Sequence, residues 1–225
     1  MLDESKINVD KNLLQHIKEN VFPRYEKFYS HDMRHIERVI ETITMLARYF
    51  NLDENMAFTI ASYHDVGLSI DRKHHEITSG QALANDEKLR EFFTEEQIET
   101  MREAVEDHRG SRVERPRNIY GEILSDADRD FNIQTLARRT LATAIKESPG
   151  LTFEKYFEKC RSLLEKREGT FRLWTKCPKL MWQMEECKRD FLSTIYAHQV
   201  HLMEWDIMTR SGVVEKIQDG EYTDF

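Results

Sequence analysis

Apolar residues in this chain recur at intervals of three and four rather than two, a period that predicts helices and no sheet. Leu13, Leu14, Ile17 and Val21 mark a short first helix that stops ahead of Pro23, because the residue before a proline avoids the helical region. A second helix begins near Ser30 and carries the stripe Ile36, Val39, Ile40, Ile43, Leu46 and Phe50. Asp53 is placed to cap a third through Met56, Ile60 and Tyr63, with Gly67 expected to end it in the left-handed conformation. A fourth is expected from His75-Glu76 to about Glu91. Thr94-Glu95-Glu96-Gln97 then spells a capping box that opens a fifth, with Ile98, Met101, Val105 and His108 on one face.

Past a loop at 110–121, the residues Ile123, Leu124, Ala127 and Phe131 start another helix, which bears Asp126, Asp128 and Asp130. Pro149-Gly150 reads as the internal boundary. Beyond it come a helix from Thr152 with Phe153, Tyr156, Phe157, Cys160 and Leu164, a break at Gly169, and one long helix from Pro178 to near Gly212. The expected organisation is an N-terminal helix (1–22), a core (23–148) and a C-terminal helical extension (149–225) packing on that core.

Composition narrows the class. The 225 residues leave room for one elaborated domain or two small ones, and 40% hydrophobic residues can supply a core. A net charge of −8 argues against a nucleic-acid polymer or an anionic membrane as partner. An anionic ligand then needs a local basic patch, for which Arg72, Lys73, Arg109, Arg112, Arg115, Arg117 and Arg129 are the candidates. The start, Met1-Leu2-Asp3-Glu4-Ser5, is acidic where a secretory leader is basic, and no apolar run approaches the roughly 18 residues of a membrane span. A cytoplasmic protein is expected. Cys160, Cys177 and Cys187 lack paired metal or redox spacing and read as buried hydrophobes.

Several of the nine histidines fall at helix ends or on apolar stripes. His64-Asp65 closes the third helix, His35 faces the buried side of the second, and Asp128 in Ser125-Asp126-Ala127-Asp128-Arg129 adds an oxygen donor from a later one. Two imidazoles and two carboxylates suit zinc, manganese, iron or cobalt. The plainer alternative is a buried His–Asp hydrogen bond, but two carboxylates buried without a cation are costly, which favours an ion.

His35-x-x-Arg38-Val39, His64-Asp65-Val66-Gly67 and Ala127-Asp128-Arg129 together resemble the H…HD…D pattern of the HD-domain metal-dependent phosphohydrolase superfamily, over roughly residues 20 to 145. The resemblance implies an all-α HD-domain helical bundle. It also implies His35, His64, Asp65 and Asp128 as ligands of a divalent metal (Mn, Fe, Zn, Co or Ni), and hydrolysis of a small phosphorylated metabolite such as a nucleotide. Two-metal members of that superfamily supply extra histidines between the HD pair and the last aspartate. His75 and His108 occupy those places, so that a second ion beside the first, bridged by Asp65, is the alternative to one. In this reading Asp65 orients the attacking group, Arg109 and Arg129 bind phosphate oxygens, and Glu76 is the candidate proton carrier.

Two other functions compete: a di-iron HD-type oxygenase, which uses the same six ligand types, and a non-catalytic ligand-sensing HD module, against which stands the presence of every ligand in the pattern. His31, one turn before His35, is placed to reach the site or the substrate, with solvent exposure at the helix start the equal alternative. His74 reads as a spectator, Asp32 as a helix-dipole partner, and His198, His201 and Glu204 as a surface face. Trp174, Trp182 and Trp205 read as packing residues, with a homodimer surface as the alternative.

Overall fold

A computed structural model describes residues 2–25, 31–165 and 171–222. Its α-helices are α1 (Lys11–Asn20), α2 (Met33–Tyr49), α3 (Glu54–Tyr63), α4 (His75–Ala84), α5 (Glu95–Glu106), α6 (Ile119–Asp128), α7 (Ile133–Glu147), α8 (Phe153–Glu165), α9 (Pro178–Leu192), α10 (Thr194–Arg210) and α11 (Val213–Gln218). No strand occurs among the described residues, so the all-α class read from the apolar period holds. Polar caps explain most of the starts. Asp10, Asp32, Asp53 and Asn132 each accept hydrogen bonds from two amides of the turn that follows, and Thr94 with Gln97 forms the reciprocal box anticipated from the sequence.

Besides α6 ending at Asp128, which leaves Asp130 and Phe131 outside the helix expected to carry them, the expectations fail at four places. Gly67 does not adopt a positive φ, and α3 already ends at Tyr63. What Gly67 provides is room: a Cβ there would meet Thr78 Oγ1 and the His75 carbonyl, and its N–H donates to Ser79 Oγ at 2.9 Å. The fourth helix stops at Ala84 rather than Glu91, because Asp86 caps a separate 3-10 turn, Glu87–Glu91, while its other oxygen is held by His16 and Tyr63. The long C-terminal helix is two, α9 and α10, interrupted at an extended Ser193 (φ −70°, ψ 96°). Ser30 and Gly169 lie outside the described residues.

The fourth difference is the boundary. The chain divides into two compact units, 1–129 and 130–225. In the first, α2 packs on α3 and α6, and α5 on α4 and α6. Ile36, Val39, Ile40 and Ile43 of α2, Phe58 and Ile60 of α3, and Ile123 and Leu124 of α6 are fully buried there. In the second, Leu141, Ala144 and Ile145 of α7 share one cluster with Tyr156 and Cys160 of α8, Met208 of α10, and Val214 and Ile217 of α11. The apolar face of α7 therefore belongs with the helices after it. Pro149-Gly150, with Gly150 at φ +81°, is the turn that joins α7 to α8, not the division between units. All three cysteines are buried and free. No helix among the described residues is long and apolar enough to cross a membrane.

Candidate metal centre

Four of the histidines named above owe their placement to helix ends. Asp32 caps α2, accepting from Arg34 N at 3.0 Å and His35 N at 3.3 Å, which fixes the turn that carries His35. His64 terminates α3 and Asp65 follows at the head of the 3-10 turn Val66–Ser69. His75 is the first residue of α4, brought up against that turn by the missing side chain of Gly67. His108 lies just past α5, and Asp128 is the last residue of α6.

These ends converge on Asp65, which is 2% exposed. Its Oδ2 lies 3.2 Å from His64 Nε2 and 3.6 Å from His35 Nε2, while its Oδ1 lies 3.3 Å from His75 Nε2 and 3.5 Å from His108 Nε2. Asp128 Oδ1 is 3.3 Å from His35 Nε2 and 3.8 Å from His64 Nε2. Two groups suited to a cation result, His35–His64–Asp65 and Asp65–His75–His108, the donor atoms within each lying within 4.8 Å of one another. They share one carboxylate.

Backbone carbonyls set the rings. His64 Nδ1 meets Ala61 O at 2.7 Å, His75 Nδ1 meets Arg72 O at 3.0 Å and His108 Nδ1 meets Val105 O at 2.6 Å. A carbonyl can only accept, so each Nδ1 donates and it is Nε2 of each ring that faces Asp65, able to bind an ion once it carries no proton. His35 differs: its Nδ1 lies 3.2 Å from the Arg38 guanidinium.

The electrostatics have the same centre. Burial alone would push the Asp65 carboxyl up, but His64, His31, His108 and His35 outweigh it and hold it well below the ordinary range. Burial is likewise outweighed at Asp128, held low by His35 and His64. The His64 imidazole, which burial alone would lower, is held up at about 9 by Asp65 and Asp128. His75 goes the other way, to about 4, through burial first and then the neighbouring His108.

The remaining candidates divide. His31 Nε2 is 3.9 Å from Asp65 Oδ2, with its ring edge-on to His35, so it borders the cluster. Arg109 reaches Lys73 O at 2.9 Å and both Glu76 oxygens at 3.3 Å, and Glu76 Oε2 lies 3.6 Å from His75 Nδ1. Arg129 is turned back on its own helix, donating to Ser125 O at 2.6 Å and Ser125 Oγ at 2.9 Å, with Asp126 at 3.7 Å. The loop arginines pair with acids: Arg112 and Arg117 with Asp107, and Arg115 with both Glu122 oxygens. His74 is exposed and bonded to Asp71, as a spectator would be. His201 and Glu204 are buried at 0% and 2%, not surface residues as expected; His201 Nδ1 bonds to Ala197 O and Glu204 to Arg138. Trp205 packs against the second unit's core, whereas Trp182 is exposed.

Arg38 is the residue to which sequence reasoning gave no task. It binds the carbonyls at the end of α6, and the available signal was its position three residues after His35, on the same face of α2.

A divalent cation fits these residues on their own chemistry: four imidazoles whose Nε2 edges converge on a buried carboxylate, and a second carboxylate beside two of them. Comparison with known proteins agrees. The model of the HD domain matches residues 33–132. A crystal structure described as a predicted HD superfamily hydrolase, from an uncultured Thermotogales bacterium, superimposes with a TM-score of 0.51 at 19% identity, covering 88% of this chain and 95% of that one. Among curated proteins none matches. The segment from 33 to 132 carries His35, His64-Asp65, His75, His108 and Asp128, and it is an HD domain.

Proposed function

We propose that this protein is a metal-dependent phosphohydrolase of small phosphorylated metabolites, with nucleotides the first class to screen. The observation that carries the reading is Asp65, one oxygen facing His35 and His64, the other His75 and His108. His35, His64, Asp65 and Asp128 would hold one divalent ion, and Asp65, His75 and His108 a second. Such an ion supplies Lewis acidity and lowers the pKa of water from 15.7 to about 7.

The chain's own groups supply the rest. Asp65 fixes the spacing of the two donor groups and orients the attacking water. Arg109, one residue past His108, is held by Glu76 and Lys73 O; a phosphoryl oxygen competes for the same guanidinium, whose planar fork takes two oxygens at once. Glu76, beside both Arg109 and His75, is the group placed to carry a proton to the leaving oxygen. Arg129 acts by tying down the end of α6 rather than by touching substrate. A chain of net charge −8 supports a small ligand held locally over a charged polymer.

Four imidazoles and two carboxylates equally suit two irons, which gives the oxygenase reading its one support. Metal analysis of the purified protein, followed by a phosphate-release screen with Mn²⁺, Co²⁺, Ni²⁺ or Fe²⁺, decides. Phosphate release with a bound ion supports the proposal. Iron with oxygen uptake and no phosphate release replaces it with the oxygenase, and a bound ion with neither activity replaces it with a sensing module.

A further inference from the structure

The helix that delivers Asp128 ends without a glycine. After α6 comes Arg129 in an extended conformation (φ −66°, ψ 126°), then Asp130 and Phe131. The last carbonyls of such a helix need donors from elsewhere. Arg38 of α2 provides them: Nη1 donates to Ala127 O at 2.9 Å and Arg129 O at 3.3 Å, and Nη2 to Asp128 O at 2.8 Å. Nη2 also lies 3.2 Å from the His35 ring, on the edge turned away from the cluster. One guanidinium thus touches the backbone of one candidate ligand and the ring of another, on different helices.

We propose that Arg38 is a positioning residue of the metal centre: by capping α6 it sets the Asp128 carboxylate against His35 and His64, and so governs affinity for the ion those residues share. The inference rests on the metal reading above. A cation suits the negative end of a helix in any case, but three carbonyls in a row call for a planar fork, which lysine lacks. The arrangement has a consequence for Asp128. Its side chain is 24% exposed, so the pinned backbone together with the His35 contact at 3.3 Å, not full enclosure, sets where the carboxylate lies.

The test is Mn²⁺ binding to the purified full-length chain by calorimetry, on wild type, Arg38→Gln, Arg38→Lys, Asp128→Ala and the Arg38→Gln/Asp128→Ala double variant. Arg38→Gln is expected to keep its helical circular dichroism and lose about 10–100-fold in affinity, the usual cost of removing an outer partner of a ligand. The double variant is expected to bind no more weakly than Asp128→Ala alone, because Arg38 acts through that carboxylate. Arg38→Lys, which keeps the charge, is expected to fall between wild type and Arg38→Gln, and it stands in should the glutamine variant not fold. Unchanged affinity in a folded Arg38→Gln or Arg38→Lys variant, with wild type binding the ion, overturns the positioning role and leaves the metal reading standing. So do fully additive losses, which mark a general structural contribution. A wild-type chain that binds no ion overturns the metal reading, and this inference with it.

Discussion

Both units bury histidines and carboxylates, yet among the described residues these groups converge only in the first. Among the described residues of 130–225, buried Glu204 is held by Arg138 at 2.8 Å, and buried His201 by Ala197 O at 2.7 Å with Thr140 Oγ1 at 3.4 Å. In 1–129, four imidazole Nε2 atoms crowd the two oxygens of Asp65. Burial pushes His201 down, as it does His75. What separates the units is therefore not burial. His64 is as buried as His201 but is held up at about 9 by two carboxylates on its Nε2 edge. A buried histidine signals chemistry where a carboxylate shares that edge, and packing where a hydroxyl or carbonyl does.

The largest effect that tests this contrast is Asp65→Ala. It removes the group shared by both donor sets, so ion binding and phosphate release should each fall by more than about 100-fold, given that outer partners alone cost 10–100-fold. Melting of the second unit's core should not change. Full turnover in that variant with no ion bound, measured by metal analysis beside a phosphate assay, would sink the proposed centre. Next comes Leu141→Ala in α7, fully buried in the other unit's cluster. It should cost about 2–5 kcal/mol in urea unfolding while ion content stays at the wild-type level. A smaller effect is expected from His201→Leu, which exchanges one buried hydrogen bond for apolar volume. A change of about 1 kcal/mol in either direction with unaltered metal content fits a packing role, and lost metal would move His201 into the chemistry.

The parts of this contrast that were legible in the sequence are the local ones. Caps at Asp53 and Thr94 announce their helices because the signal lies within four residues. The candidate ligands His35, His64, Asp65 and Asp128 are marked by the family resemblance their order and spacing carry, and the structure brings them together with His75 and His108. What was not legible depends on contacts between distant segments. Asp86 breaks the fourth helix because His16 and Tyr63, 70 and 23 residues away, bind its side chain. The arginines of 110–121 look free in the sequence, but Asp107 and Glu122 engage them. His198, His201 and Glu204 share a helix face that the period cannot assign to solvent or core, because α10 carries apolar residues on both sides: Val200 and Met208 are buried, Ile195 and Ile207 exposed.

The last test concerns the thiols, all of which lie in the second unit. Burial pushes both Cys160 and Cys187 up to about 12, with Asp130 and Asp190 adding to Cys187. A thiol whose pKa is higher folded than unfolded stabilises the fold fully below its ordinary value near 9, and that contribution is lost as pH rises toward about 12. Urea stability should therefore decline across that window, and Cys160→Ala should flatten part of the decline. Tyr25 and Tyr63 of the first unit, both raised by burial first, contribute an alkaline slope of their own, so the difference between wild type and variant, not the slope itself, isolates the thiol. At pH 8 a neutral, enclosed Cys160 should resist iodoacetamide until urea opens the second unit. If it labels as fast in the native protein as in the unfolded one, α7 and α8 do not close over it, and the packing role given to the second unit's buried groups fails with that core.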